Sequence, residues 1–166
     1  MKKIEFISSK ILDREQLRRA CVVWSFKDRK VVFTNGCFDI LHFGHIEYLA
    51  KAAELGDVLV IGMNSDSSVH RIKGESRPIN DEHSRSMVLA SLEFVTAVVL
   101  FDEETPYELI KTIQPDILVK GKDYKIEEIA GHDIVLAKGG KVETIKLTPG
   151  YSTTAIEQKI PELHKK

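Results

Sequence analysis

Apolar residues along this chain switch repeatedly between helical and strand spacing. Leu17, Ala20, Cys21 and Trp24 stand at i, i+3, i+4 and i+7, the stripe of an amphipathic helix. Asp13 and Gln16 ahead of them form a capping-box signature. Val31-Val32-Phe33 is then a short unbroken apolar run. Ile46, Leu49, Ala50 and Ala53 restore the helical spacing, with Glu47 and Lys51 as an exposed i,i+4 pair and Gly56 as the expected C′ glycine. Val58-Leu59-Val60-Ile61 is a second unbroken run, the pattern of a strand covered on both faces. Strand, helix and strand make one βαβ unit, with a parallel pair and a right-handed crossover.

The alternation continues towards the C-terminus. Asn80 or Asp81 is expected to start a helix carrying Val88, Leu92 and Val95, followed by a strand at 97–101. Thr105-Pro106-Tyr107-Glu108 reads as a Thr cap, a first-turn proline and a capping-box Glu. Leu109, Ile110 and Ile113 supply that helix's apolar face, and Pro115 closes it. Residues 117–119 and 142–145 read as strands, and 133–138 as a short helix ended by Gly139-Gly140. Ser152 is the expected cap of a last helix with Ile156 and Ile160 on its inner side. The pattern predicts an α/β fold: a Rossmann-like, doubly wound, mainly parallel five-stranded sheet with helices on both faces. It predicts a single domain over 1–166, with 1–30 as leading helix and lead-in and 31–160 as core. Such sheets bind ligands beyond the carboxyl ends of their strands, near the switch point.

Composition adds exclusions. The chain has 166 residues, 43% hydrophobic and 30% charged, which describes an ordinary soluble globule. A net charge of −1 argues against a nucleic-acid partner, so any anion site must be local. No apolar stretch approaches the ~18–20 residues needed to span a bilayer, so no membrane partner is expected. The N-terminus shows neither a long apolar segment nor a small-residue cleavage site, so no signal peptide is expected. Cys21 and Cys37 lie in unrelated segments and read as reduced thiols of a cytoplasmic protein. No Cys/His spacing suggests zinc.

The most specific chemistry lies in Thr34-Asn35-Gly36-Cys37-Phe38-Asp39-Ile40-Leu41-His42-Phe43-Gly44-His45. An apolar run ends in a small-residue loop, two histidines follow, and a helical pattern begins at once. A helix start offers unpaired N–H groups and the positive end of the helix dipole, so it favours anions. His42 and His45, three apart, can project to one side and hold a phosphate as charge develops on it. Gly44 is expected to let a nucleotide approach the backbone. A metal site at the two histidines would lack a third ligand other than Asp39.

Residues 36–45 resemble the signature of the cytidylyltransferase-like nucleotidyltransferases, with their His-x-Gly-His motif. The resemblance recurs at Asn64-Ser65-Asp66, Gly121-Lys122-Asp123-Tyr124 and Gly150-Tyr151-Ser152-Thr153-Thr154, and covers 31–160. Within that family, residues 35–42, 69–80 and 118–124 are most similar to the adenylyltransferases that make ADP-heptose from D-glycero-D-manno-heptose 1-phosphate and ATP, a step of bacterial lipopolysaccharide core synthesis. One element departs from the glycerol-phosphate cytidylyltransferases. Their Arg-Thr-x-Gly-x-Ser-Thr-Thr is Leu147-Thr148-Pro149-Gly150-Tyr151-Ser152-Thr153-Thr154 here, without the arginine, and Cys37 replaces their first-loop threonine.

The resemblance implies in-line displacement at the α-phosphorus of ATP by a sugar 1-phosphate, with Mg²⁺ held mainly by the phosphates rather than by protein ligands. It implies catalytic roles for His42, His45 and Lys73. It places Asn35, Gly36, Cys37, Phe38, Gly44, Asp66, Asp123, Ser152 and Thr153 around the nucleotide, and Lys73, Arg77 and Arg85 around substrate phosphate. Bland readings stand beside several of these. Lys73, Arg71 and Arg77 could form a solvated basic turn, Arg85 could pair with Glu82 or another acidic neighbour, and Asp66 and Ser152 could simply cap helices. The resemblance also implies a homodimer and a separate sugar kinase upstream. A nucleotide-sensing module without turnover shares the fold and stays open at this point.

Overall fold

The unbroken apolar runs are buried on both sides, and each helix lays one stripe against them. The computed structural model of the chain describes residues 2–122 and 124–163. It opens with α1 (Lys3–Ser8), β1 (Ile11–Leu12) and α2 (Arg14–Phe26). The central unit is β2 (Val31–Gly36), α3 (Phe43–Ala53) and β3 (Val58–Asn64). Then come α4 (Asp66–Lys73), α5 (Glu82–Ser91), β4 (Ala97–Phe101), α6 (Tyr107–Ile113) and β5 (Ile117–Gly121). A 3-10 turn at Ile126–Glu128, α7 (His132–Ala137), β6 (Lys141–Ile145) and α8 (Thr153–Leu163) complete the described chain.

All the pairings are parallel, in the order β1-β4-β3-β2-β5-β6. Strand alternation divides the core in two. Phe33, Val60, Val99 and Leu118 face Leu17 of α2, Leu109, Ile110 and Ile113 of α6, and Val135 of α7. Val32, Leu59, Ile61, Val98 and Val119 face Leu49 and Ala52 of α3 and Leu89 and Ala90 of α5. The chain moves outward from β2 through β3 to β4, then crosses back to β5 on the other side of β2. The switch point therefore lies between β2 and β5, and the histidine loop leaves β2 there. The sheet is Rossmann-like and doubly wound, as expected.

Several details differ from the sequence reading. The sheet has six strands rather than five. The extra one, β1, is two residues long, pairing Ile11 with Val98 and Leu12 with Val99, too short to display a period of two. The pattern assigned no span to helix α4, because its inner side carries only Ser68 and Val69 and so shows no apolar stripe. Helix α5 starts after Asp81, whose carboxylate accepts from the Ser84 N–H at 2.6 Å. Its inner side is Arg85, Ser86, Leu89 and Ala90, while Val88 is exposed and Leu92 and Val95 lie beyond the helix. A buried arginine and serine disguised that stripe as a polar one. Thr105 makes no cap: α6 follows Pro106, without a side-chain cap bond. Gly56 is not a C′ glycine, since α3 ends at Ala53 with Glu54 as its cap. A Cβ there would lie 2.7 Å from the Lys30 carbonyl oxygen, so close approach explains the glycine. Ile160 is exposed rather than inward.

Candidate active site

The site begins where β2 stops. Asn35 and Gly36 end the strand, and Phe38 takes a left-handed backbone (φ 48°) that turns the chain towards α3. Non-glycine residues held in that region tend to mark functional loops. His42 is the residue before the helix and supplies no side-chain cap. Its imidazole stacks on that of His45, with ring centroids 3.8 Å apart and planes 22° off parallel. The His45 and Phe38 rings meet in a T-shaped arrangement, with centroids 5.5 Å apart. Nδ1 of both rings is buried without a hydrogen-bond partner among the described residues, and so is the Asn35 side-chain oxygen. Buried polar atoms are normally paired, so these three atoms near one helix start are open to a ligand or ordered water.

Burial lowers the His42 pKa. It pushes His45 down to about 4, with the neighbouring His42 adding to the effect and the Ile40 backbone partly opposing it. Both rings are therefore neutral at pH 7, each with one N–H donor and one acceptor nitrogen. An arriving polyanion would favour the protonated forms.

Gly44 is required by close packing at the helix start. The space a Cβ would fill is taken by Tyr151 Cβ at 3.1 Å and His42 Nδ1 at 3.2 Å. Glycine here lets the stacked histidine and the C-terminal segment close on the helix start. The same segment is tied down by a Thr148–Glu47 hydrogen bond and by Phe43 against Tyr151, ring centroids 5.0 Å apart. Ser152 caps α8 as expected, accepting from the Ala155 N–H at 3.0 Å, and Thr153 is the first residue of that helix.

The basic residues divide into paired and unpaired. Arg85 is fully buried, and it donates to the carbonyls of Cys37, Asn80 and Asn64 and to the Asp66 carboxylate at 2.7 Å. Sealed in this way it is a strut beneath the motif loop and not a phosphate contact, which corrects the expectation. Its acidic partner is Asp66, while Glu82 accepts from the Asp66 backbone N–H at 2.9 Å. Asp66 does not cap α4; Ser65 does, accepting from the Ser68 N–H at 3.1 Å. Arg77 pairs with Asp39 and, at 3.1 Å, with Glu157 of α8. Asp39 also accepts from the N–H groups of Ile79 and Asn80, which locks residues 77–80 onto the motif loop. Asp39 is thereby a clamp rather than a third metal ligand. Arg71 pairs with Asp102.

Lys73, by contrast, ends α4 exposed and without an ion pair among the described residues. It lies in a helix rather than in the loop its sequence suggests. Cys37 is half-buried, and burial raises its thiol pKa despite the charges of Lys73, Arg85 and Lys120 nearby. A thiol held protonated is a poor nucleophile. Asp123 lies outside the described residues.

Two roles escaped the sequence reading. Asp39 drew notice only beside the histidines as a metal ligand, and its clamp on residues 77–80 gave no signal. Lys120 did give one: it interrupts the apolar strand Ile117-Leu118-Val119 just before the carboxyl edge. A cavity of about 910 Å³ opens instead at the amino edge, between Cys21, Val31, Asp116 and Lys138. It gathers none of the unpaired polar atoms.

Residues 33–159 match the family described as cytidylyltransferase-like. The chain belongs to the cytidylyltransferase-like family. It is 52% identical to the bifunctional protein HldE of Wolinella succinogenes over 151 residues, covering 91% of this chain and 31% of that one. With HldE of Nitratiruptor the identity is 58% over 134 residues, 81% of this chain and 28% of the relative. The chain thus spans about a third of the length of these curated relatives. Among solved structures, a lipopolysaccharide core biosynthesis protein from Thermoplasma volcanium superimposes with TM-score 0.59 at 33% identity, covering 72% of this chain and 97% of that one. A pantoate-beta-alanine ligase from Francisella tularensis shares the fold, with TM-score 0.63 at 20% identity over 94% of this chain and 79% of that one. Among the described residues, no helix is long and apolar enough to cross a membrane.

Proposed function

We propose that the chain transfers AMP from ATP to D-glycero-D-manno-heptose 1-phosphate, giving ADP-heptose and pyrophosphate for lipopolysaccharide core synthesis. The observation that carries this reading is the stacked pair of neutral imidazoles at an uncapped helix start, beside the switch point of the sheet. The names of the relatives, bifunctional protein HldE and a lipopolysaccharide core biosynthesis protein, support the acceptor class. Leu147, where glycerol-phosphate cytidylyltransferases carry arginine, argues against their substrate pair.

In this reading a phosphate oxygen of the sugar 1-phosphate attacks the α-phosphorus of ATP, the α–β bridging bond breaks, and pyrophosphate leaves. Such displacement depends on positioning and charge stabilisation rather than on covalent catalysis. His42 and His45 donate to the phosphate oxygens where charge grows. Lys73 approaches from the β3 side, and the N–H groups at the starts of α3 and α8 complete the cradle. Asn35, Gly36, Cys37 and Phe38 line the nucleotide from the motif loop, and Thr153 from α8. In this reading Mg²⁺ is carried in on the triphosphate and would neutralise charge on the phosphates. A homodimer, a cytoplasmic setting and an upstream sugar kinase belong to the same reading.

The test is pyrophosphate release from ATP or CTP with a panel of sugar 1-phosphates and polyol phosphates. Release with ATP and the heptose 1-phosphate, and not with CTP and glycerol 3-phosphate, is expected. The reverse preference would replace this reading with a cytidylyltransferase, and nucleotide binding without release would make the chain a sensing module.

A further inference from the structure

The β3 side of the site carries Lys73, Arg71, Arg77 and Arg85, and three of these four cations are paired with carboxylates. On the opposite side of β2, β5 delivers one cation to the same edge. Lys120 stands next to the last residue of β5, in register with Thr144 of β6, and is half-buried. Its ammonium lies 3.5 Å from the Asn35 backbone oxygen and 5.6 Å from the centre of the Tyr124 ring. No carboxylate pairs with it among the described residues. An ammonium has three donors, and one long hydrogen bond leaves most of that capacity unused. The residue it reaches, Asn35, is the one whose side-chain oxygen is buried and unpaired.

We propose that Lys120 is a substrate-contacting residue, whose ammonium binds a phosphate oxygen of the nucleotide or of the acceptor from the β5 side of the switch point. A partly desolvated cation without a counter-ion costs free energy in the ligand-free protein. A phosphate removes that cost by supplying the missing charge. The groups facing Lys120 are consistent with this. Cys37, from the β2–α3 loop, acts on its charge, the Tyr124 ring lies beneath the ammonium, and Thr144 of β6 is its register partner. Burial brings the Lys120 pKa down to about 8, opposed only by the influence of Cys37. An arriving phosphate would raise it again, so binding should draw a proton onto the lysine. The inference rests on the family's nucleotidyl-transfer chemistry, not on the identity of the sugar.

The test is calorimetry near pH ~8.5, where phosphates are fully ionised and imidazoles neutral. Two buffers of different ionisation heat report proton uptake. One arm titrates Mg·ATP, the other the heptose 1-phosphate. Wild-type protein is expected to take up a substantial fraction of a proton in at least one arm, and that arm identifies which phosphate Lys120 meets. Lys120→Met should lose the uptake and bind that ligand about 10- to 100-fold more weakly. Lys120→Arg, charged at every pH, should lose the uptake but keep most of the affinity. Unchanged uptake and affinity in Lys120→Met for both ligands would overturn the inference. So would weakening in both variants alike with no uptake in the wild type, which is the signature of a strut. If the ATP arm behaves as expected but the heptose arm and pyrophosphate release are silent, the proposed acceptor fails and Lys120 stands.

Discussion

Two helices leave neighbouring strands at the same edge of the sheet, and they begin in opposite ways. Helix α4, after β3, is closed by Ser65, its first carboxylate is taken by Arg85, and its first N–H is taken by Glu82. Helix α3, after β2, starts at a histidine that caps nothing, beside a second histidine, and both imidazoles keep an unpaired buried nitrogen. Satisfied polar groups stabilise a fold; unsatisfied ones cost stability and are retained where a ligand completes them. The difference separates struts from contacts among residues that look alike in sequence. Arg85 and Lys73 are both basic and both follow β3, but only Lys73 has a charge left to offer a substrate.

That comparison can be broken at either helix. The largest expected effect is on turnover: His42→Ala or His45→Ala should each lower kcat/KM by about 10²–10³ with little change in thermal midpoint. Steady-state pyrophosphate release and a melting curve check this, and a variant that unfolds while staying active per folded molecule would reverse the assignment. Next, Arg85→Met should cost about 3 kcal/mol of stability, because Asp66 and the carbonyls of Cys37, Asn64 and Asn80 lose their shared donor. Urea unfolding measures it. A stable variant with a raised KM for substrate would mean that Arg85 is a contact after all. The smallest effect is at the α4 cap, where Ser65→Ala should destabilise by about 1 kcal/mol with unchanged kcat.

The fold was largely legible because buried parallel strands must be apolar throughout, and Val58-Leu59-Val60-Ile61 cannot easily be anything else. What stayed hidden was whatever carried no period. β1 is two residues long, and α4 and α5 turn polar residues inward. The histidine pair was legible for a related reason: two imidazoles, a glycine and an abrupt change of period coincide. Partner choice was not. Nothing in the local sequence distinguishes Arg77, held by Asp39 thirty-eight residues away, from a free phosphate ligand. Nor does it say that Gly44 makes room for Tyr151. Those facts depend on contacts between distant segments.

The central claim is that α3 presents two neutral, desolvated imidazoles that await an anion. Its most direct test is an NMR titration of the His42 and His45 rings, with and without Mg·ATP. Burial holds the folded His45 near 4, whereas an unfolded imidazole takes its proton near 6.5. The unfolded state therefore binds more protons in that window, and stability should fall as pH drops from about 6.5 towards 4. The account predicts depressed values for both rings in the free protein, lowest for His45, and a clear rise when the nucleotide binds. Ordinary values in the free protein, unmoved by saturating Mg·ATP, would contradict it.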